Sequence, residues 1–153
     1  MAQIAKMEVQ LDIKSSAQSF YEIFRRKQYL MPKICLDILK DVQVIKGDWE
    51  SLGSIKQWTY VAGNSESGKE IVEAIDEENK KITFKVLDGE ITKYYKTMKT
   101  TVQVTAKGDK GGSSVKWTLE YEKLNDSIPA PTKYLDLLSA TTKNVEAYLT
   151  NNA

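Results

Sequence analysis

Near the start of the chain apolar and polar side chains alternate, with Ala5, Met7, Val9, Leu11 and Ile13 set against Lys6, Glu8, Gln10 and Asp12. A period of two predicts a strand with one wet face. The period then changes. In "SSAQSFYEIFRR" Phe20, Ile23 and Phe24 recur at i, i+3 and i+4. Ser15 or Ser16 offers an N-cap, and the basic run Arg25 to Lys27 suits a helix C-terminus. Pro32 opens a second short helical turn or breaks the first. Strand character returns from about Ile38 to Lys46 and again in "SIKQWTYV". "GKEIVEAIDEENKKITFKVLDGE" reads as two strands around a polar turn at Glu77 to Lys80. "YYKTMKTTVQVTA" and "SSVKWTLEYEKL" form a further hairpin through "KGDKGG", where three glycines and Asp109 permit positive φ.

Pro129 and Pro131 end this region, and from about Thr132 to Thr150 the period becomes helical. Tyr134, Leu138, Thr141, Val145, Tyr148 and Leu149 share one face, widened by Leu135, Leu137 and Thr142. Lys133, Asp136, Lys143 and Ala147 lie opposite. The predicted order is strand, two short helices, six strands, long helix. That is an α+β chain. Strands joined by short turns make an antiparallel sheet, and the long amphipathic helix is the natural cover for its dry face. No repeat, low-complexity tract or linker divides the 153 residues, so one domain over residues 1–153 is expected.

Composition removes several functions. A net charge of +1 with 28% charged residues gives no electrostatic case for nucleic acid or an anionic membrane. Histidine is absent, which takes away the commonest general base and the commonest zinc ligand. No cofactor or metal is therefore expected. The lone Cys35 excludes an internal disulfide and fits a reducing compartment. The alternating start does not read as a signal peptide, and no apolar run reaches the length of a membrane span. These features together predict a soluble, cytoplasmic protein, a monomer or weak dimer.

The stretch "VIKGDWESLGSIKQWTY" places five residues between Gly47 and Gly53, then Ser54 and Ile55. A Walker-type loop needs four residues there, a Lys-Ser/Thr pair directly after the second glycine, and a helix to follow. A β-rich run follows instead, and Asp48 and Glu50 would repel phosphate. The stretch predicts a turn, not a phosphate cradle.

This element order, with "KGDWESLGSIK" between the second and third strands, resembles the major latex protein family. That family is a plant branch of the superfamily holding the birch pollen allergen and the pathogenesis-related class-ten proteins. The resemblance spans essentially the whole chain. Its most specific parts are the Gly-Asp-Trp loop, the "LDGE" turn at Leu87 to Glu90 and the late "VEAYL". It implies a curved seven-stranded antiparallel sheet wrapped around the long helix, a large internal cavity, and binding of hydrophobic or amphipathic small molecules in plant defence and stress.

Candidate cavity residues follow from the strand faces. Lys56, Trp58 and Tyr60 share one face, and alternation alone does not say whether it looks inward; the family pattern puts it inside. An ammonium facing a dry core would be driven to neutralise or to seek an acid, so Lys56 is read as orienting an anionic headgroup. No inward carboxylate is evident. Ile82, Phe84, Val86, Met98, Thr100, Val102, Val115, Trp117, Leu119, Leu135, Leu138 and Thr142 complete the inward set, each fitting ordinary core better than a ligand contact. Thr142 could simply bond back to the carbonyl of Leu138. By the Met98 register Tyr94 joins the lining and Tyr95 points out.

Glu146 and Tyr148 match positions proposed for ribonuclease activity in related pathogenesis proteins, but the third, acidic position is Lys96 here. Without that acid or any histidine, the pair lacks a base and acid for RNA cleavage. The leading expectation is a non-enzymatic carrier of fatty-acid-like, lysophospholipid-like, steroid-like or phenolic ligands. A ribonuclease or condensing enzyme, and a ligand-responsive protein-interaction module, are the rivals.

Overall fold

The alternating segments pair into one sheet, and the order of pairing sets where everything else lies. The computed structural model describes residues 4–108 and 111–151. The strands are β1 (Ile4–Ile13), β2 (Leu39–Lys46), β3 (Ile55–Ala62), β4 (Asn64–Asp76), β5 (Lys81–Val86), β6 (Tyr95–Ala106) and β7 (Ser113–Lys123). Their spatial order is β1-β7-β6-β5-β4-β3-β2, antiparallel throughout. The first two strands thus occupy opposite edges. The helices α1 (Ala17–Arg26) and α2 (Met31–Ile34) bridge them, and α3 (Thr132–Asn151) crosses the concave face of the curved sheet.

Local chemistry explains the boundaries. Ser16, not Ser15, caps α1, its hydroxyl accepting the Ser19 N–H at 3.1 Å, while Arg25 and Arg26 close the last turn. Pro32 stands in the first turn of α2, where its missing N–H has no intrahelical partner to lose. β4 starts at Asn64, earlier than the sequence pattern suggested, because Gly63 at φ 85° turns the chain and Ala62 pairs directly with Asn64. Asp109, expected in the last hairpin turn, lies outside the described residues.

The acidic tract after β4 is more than a solvated hairpin end. Glu77 accepts from Arg25 and lies 3.5 Å from Arg26, so it fastens the hairpin to α1. On the far side Phe20 and Val145 are fully buried, and Phe24 meets Trp117 edge-on at 5.2 Å.

The turn between β5 and β6 lies on β4 at close range. Gly89 has φ 105° and ψ −167°, a region open essentially to glycine alone. A β-carbon there would stand 2.1 Å from the Ser67 carbonyl oxygen. Gly63 has φ 85° but open space around it. In urea unfolding, Gly63→Ala is expected to lose about 1–2 kcal/mol for its left-handed backbone alone. Gly89→Ala, which adds the collision, is expected to lose about 3 kcal/mol or more. Equal losses would show that the turn moves freely away from β4.

Candidate ligand cavity

Between the concave sheet and the first half of α3 lies a cavity of about 130 Å3, measured as the space open to the centre of a water-sized sphere. On that measure a single water needs only about 10–15 Å3, so this is room for an organic molecule. The walls are largely apolar and aromatic, with Phe24, Trp58, Phe84, Trp117 and Tyr134 prominent. The second half of α3 leaves no such gap. There Thr142 and Val145 are fully buried, and the Trp117 indole N–H donates to the Thr142 hydroxyl at 2.7 Å. The same hydroxyl donates back to the Leu138 carbonyl at 2.8 Å.

Among the residues expected to face inward, Trp58, Tyr60, Phe84, Val86, Met98, Thr100, Trp117 and Leu138 line the cavity. Val102, Leu135 and Thr142 are buried outside its lining. Lys56 is interior, only 2% exposed, but it borders a separate void of about 10 Å3 with Phe24, Arg25, Trp49 and Glu50. Its ammonium therefore stands behind the cavity wall.

Tyr94 is a correction. It points outward, 42% exposed, and Tyr95 takes the inner place at 4%. The register between β6 and β7 shifts between Tyr95 and Thr97, and that bulge inverts the parity counted back from Met98. The Tyr95 hydroxyl then donates to the Pro129 carbonyl at 2.6 Å and packs edge-on to Tyr121.

Two kinds of lining residue escaped the sequence pattern. Phe24, Gln28, Met31 and Leu39 come from α1 to β2, whose approach to the sheet has no periodic signal. The other kind is charged: Lys69, Glu70 and Asp88 line the cavity, and Glu70, with Glu66 buried outside the lining, overturns the expectation of no inward carboxylate. Once the Lys56 face of β3 looks inward, antiparallel pairing brings Glu70 opposite Lys56 and Glu66 opposite Tyr60. The signal was therefore present in the short Ala62–Asn64 connection, which fixes the register.

The two carboxylates live differently. Glu66 is satisfied: it accepts from the Tyr134 hydroxyl at 2.8 Å and from Lys133 Nζ at 2.9 Å, clamping the first turn of α3 to β4. Burial, reinforced by Glu66, pushes the Tyr60 and Tyr134 phenols well above the usual range, so both stay protonated. Glu70 lines the cavity itself and is half-buried. Desolvation pushes its carboxyl up to about 7, against the pull of Lys56 and of the Trp58 indole. Burial pushes Lys56 down, opposed by Glu70 and Asp48. The Trp58 N–H is close enough to influence Glu70, yet buried without completing a hydrogen bond.

The other candidate motifs have structural work. Asp48 accepts the N–H groups of Glu50 and Ser51 at 2.9 and 2.7 Å and the Ser51 hydroxyl at 2.8 Å. The carboxylate thus stands where an anion would have to sit to reach these two amides. Glu146 accepts the N–H groups of Lys14 and Ser15 and the Ser15 hydroxyl, tying the β1–α1 corner to α3. Lys96 sits 3.5 Å from Glu122 on the sheet surface.

Glu70 should write itself into the pH dependence of stability. Its ordinary pKa is 4.5, and the folded protein raises it to about 7. The folded state thus holds this proton to higher pH than the unfolded chain does. Stability from this group is greatest below pH 4.5, falls as pH rises through about 7, and is level above. The loss is on the order of 3 kcal/mol at most. Denaturant unfolding of wild type and Glu70→Gln across pH 4–9 should show the wild type losing ground against the variant over that window. Parallel profiles would mean that Glu70 titrates as it does in water.

Comparison with known proteins agrees with the geometry. The Arabidopsis thaliana MLP-like protein 31 is 35% identical over 147 residues, covering 95% of this chain and 86% of that protein. The crystal structure of ginseng major latex-like protein 151 from Panax ginseng superposes with a TM-score of 0.90 at 36% identity, covering 95% and 97% of the two chains. Norcoclaurine synthase from Thalictrum flavum, at 17% identity and a TM-score of 0.84 over 99% and 90%, shares the fold. Residues 2–152 match the sequence profile of the pathogenesis-related protein Bet v 1 family, and the chain belongs to that family.

Proposed function

We propose that the protein is a non-catalytic carrier of a single-chain, lipid-like amphiphile, held between the sheet and the first half of α3. Fatty-acid-like and lysophospholipid-like molecules head the class, with steroid-like and phenolic metabolites as competitors. The observation that carries this reading is the cavity itself: an organic-sized, mostly apolar space with few polar groups. Apolar burial, at roughly 25 cal/mol per Å2, supplies the affinity of such sites, and the polar groups fix orientation. The family membership supports a small-molecule-binding role linked with plant defence.

No described helix is long and apolar enough to cross a membrane. We place the carrier in the cytoplasm, where its one buried thiol, Cys35, would stay reduced. The catalytic alternative finds little support, because Glu146 holds a chain corner and the relatives at 35–36% identity are major latex-like proteins. Tyr94, facing solvent, is left out of the site.

An uncharged naphthylamine dye should fluoresce on binding the native protein and be displaced by long-chain lipids. Native mass spectrometry of protein purified from its source should show an added mass for a retained ligand. Tyr94→Ala should leave displacement unchanged within about twofold, as expected for a side chain outside the site. A dye signal no greater than that of a compact control protein would end the carrier reading.

A further inference from the structure

Three neighbours on β3 and β4, Trp58, Gly68 and Glu70, line one part of the cavity wall, and their arrangement selects a chemistry. Trp58 lines the cavity and carries a buried indole N–H with no hydrogen-bond partner. Such a donor loses its water on burial, and its approach to Glu70 falls short of a formed hydrogen bond, which leaves it wanting an acceptor. Glu70, two pairs along the same two strands and so on the same face, also lines the cavity. Gly68 stands opposite Trp58 and adds no side chain between them. The site therefore offers one buried donor and one buried acceptor side by side.

Charge narrows the class further. Lys56 pairs across the strands with Glu70 and attracts it, but its ammonium lies behind the wall beside the smaller void. The interior pair is thus neutral as it stands. An anionic headgroup at Trp58 would sit against the Glu70 carboxylate, with Lys56 out of reach on the other side. A cationic headgroup would bring a second cation to a carboxylate whose charge Lys56 already balances. Either leaves a net buried charge, which is far more costly than a buried dipole. The remaining charges do not alter this balance: Lys69 and Asp88 also line the cavity, but as an opposite pair 3.6 Å apart, and Glu66 is taken up by Lys133 and Tyr134.

We infer that the cavity selects uncharged amphiphiles bearing a hydroxyl, whose oxygen accepts the Trp58 Nε1 hydrogen while its proton is donated to a Glu70 carboxyl oxygen. A hydroxyl is the smallest group that both accepts and donates without charge. This rests on the carrier reading and revises the order within its class, placing neutral hydroxyl-bearing amphiphiles above the fatty-acid-like and lysophospholipid-like molecules.

The test uses purified protein at pH 8, where Glu70 is ionised, and displacement of the uncharged naphthylamine dye. The competitors share one chain length: dodecane, dodecanol, dodecanoate and dodecylammonium. In the wild type dodecanol should displace at lower concentration than either ion. Trp58→Phe should weaken dodecanol by roughly two- to tenfold more than it changes dodecane, since the smaller ring affects both ligands and the hydrogen bond is lost from dodecanol alone. Glu70→Gln should improve dodecanoate relative to dodecanol, because the repelling charge is gone. Dodecanoate or dodecylammonium winning in the wild type overturns the inference without touching the carrier reading. Equal losses of dodecane and dodecanol in Trp58→Phe do the same. No displacement by any of the four would overturn both.

Discussion

Trp117 donates its indole proton to Thr142, and that buried bond sets the spacing between the sheet and α3. Trp117 lies on β7, one strand in from the β1 edge of the sheet, and Thr142 lies just past the middle of the helix. Beyond this pin, Val145 and Phe20 fill the core, and Glu146 ties the helix to the β1–α1 corner. Before it, Lys133 and Tyr134 fasten the first turn of the helix to Glu66. A stiff helix pinned at both ends of its first half cannot sink into a concave sheet. The cavity lies in that span.

The same arrangement explains why charged residues are tolerated inside. A solid core would force Lys56 and Glu70 into direct contact or neutrality. Here Glu70 faces an open space, and the cross-strand lysine attracts it from the other side of the wall. The pairing that brings them together is dictated by a short turn at Gly63, so local backbone geometry decides the chemistry of a distant pocket. Strand register carries that information further than any motif in the chain.

The loop that first suggests a nucleotide site instead shows how a carboxylate can saturate a turn. Asp48 binds the amides that would otherwise be available to an anion, and Trp49 packs edge-on against Tyr29 at 5.6 Å. Glu146 plays the corresponding part at the other end of the sheet. Both residues stand in motifs that invite a catalytic or ligand-binding reading, and both are spent on holding chain segments together.

Element type and order were legible in the sequence because the signal is local: a period of two for the strands, a period of 3.6 for α1 and α3, and Pro32 at the start of α2. The inward set was legible wherever alternation ran unbroken, as from Met98 to Val104 and from Val115 to Tyr121. It failed at Tyr94, because a bulge one residue long reverses every face before it. The inward carboxylates were hidden for a different reason: Glu66 and Glu70 read as polar surface until their partner strand fixes their side. The split of the inward residues between cavity and solid core was beyond any pattern. Leu138 and Thr142 occupy the same helix face one turn apart, yet one borders open space and the other receives a hydrogen bond. Periodicity records which side of an element is dry. Whether that dry side meets another side chain or a void is decided only where separate elements come together.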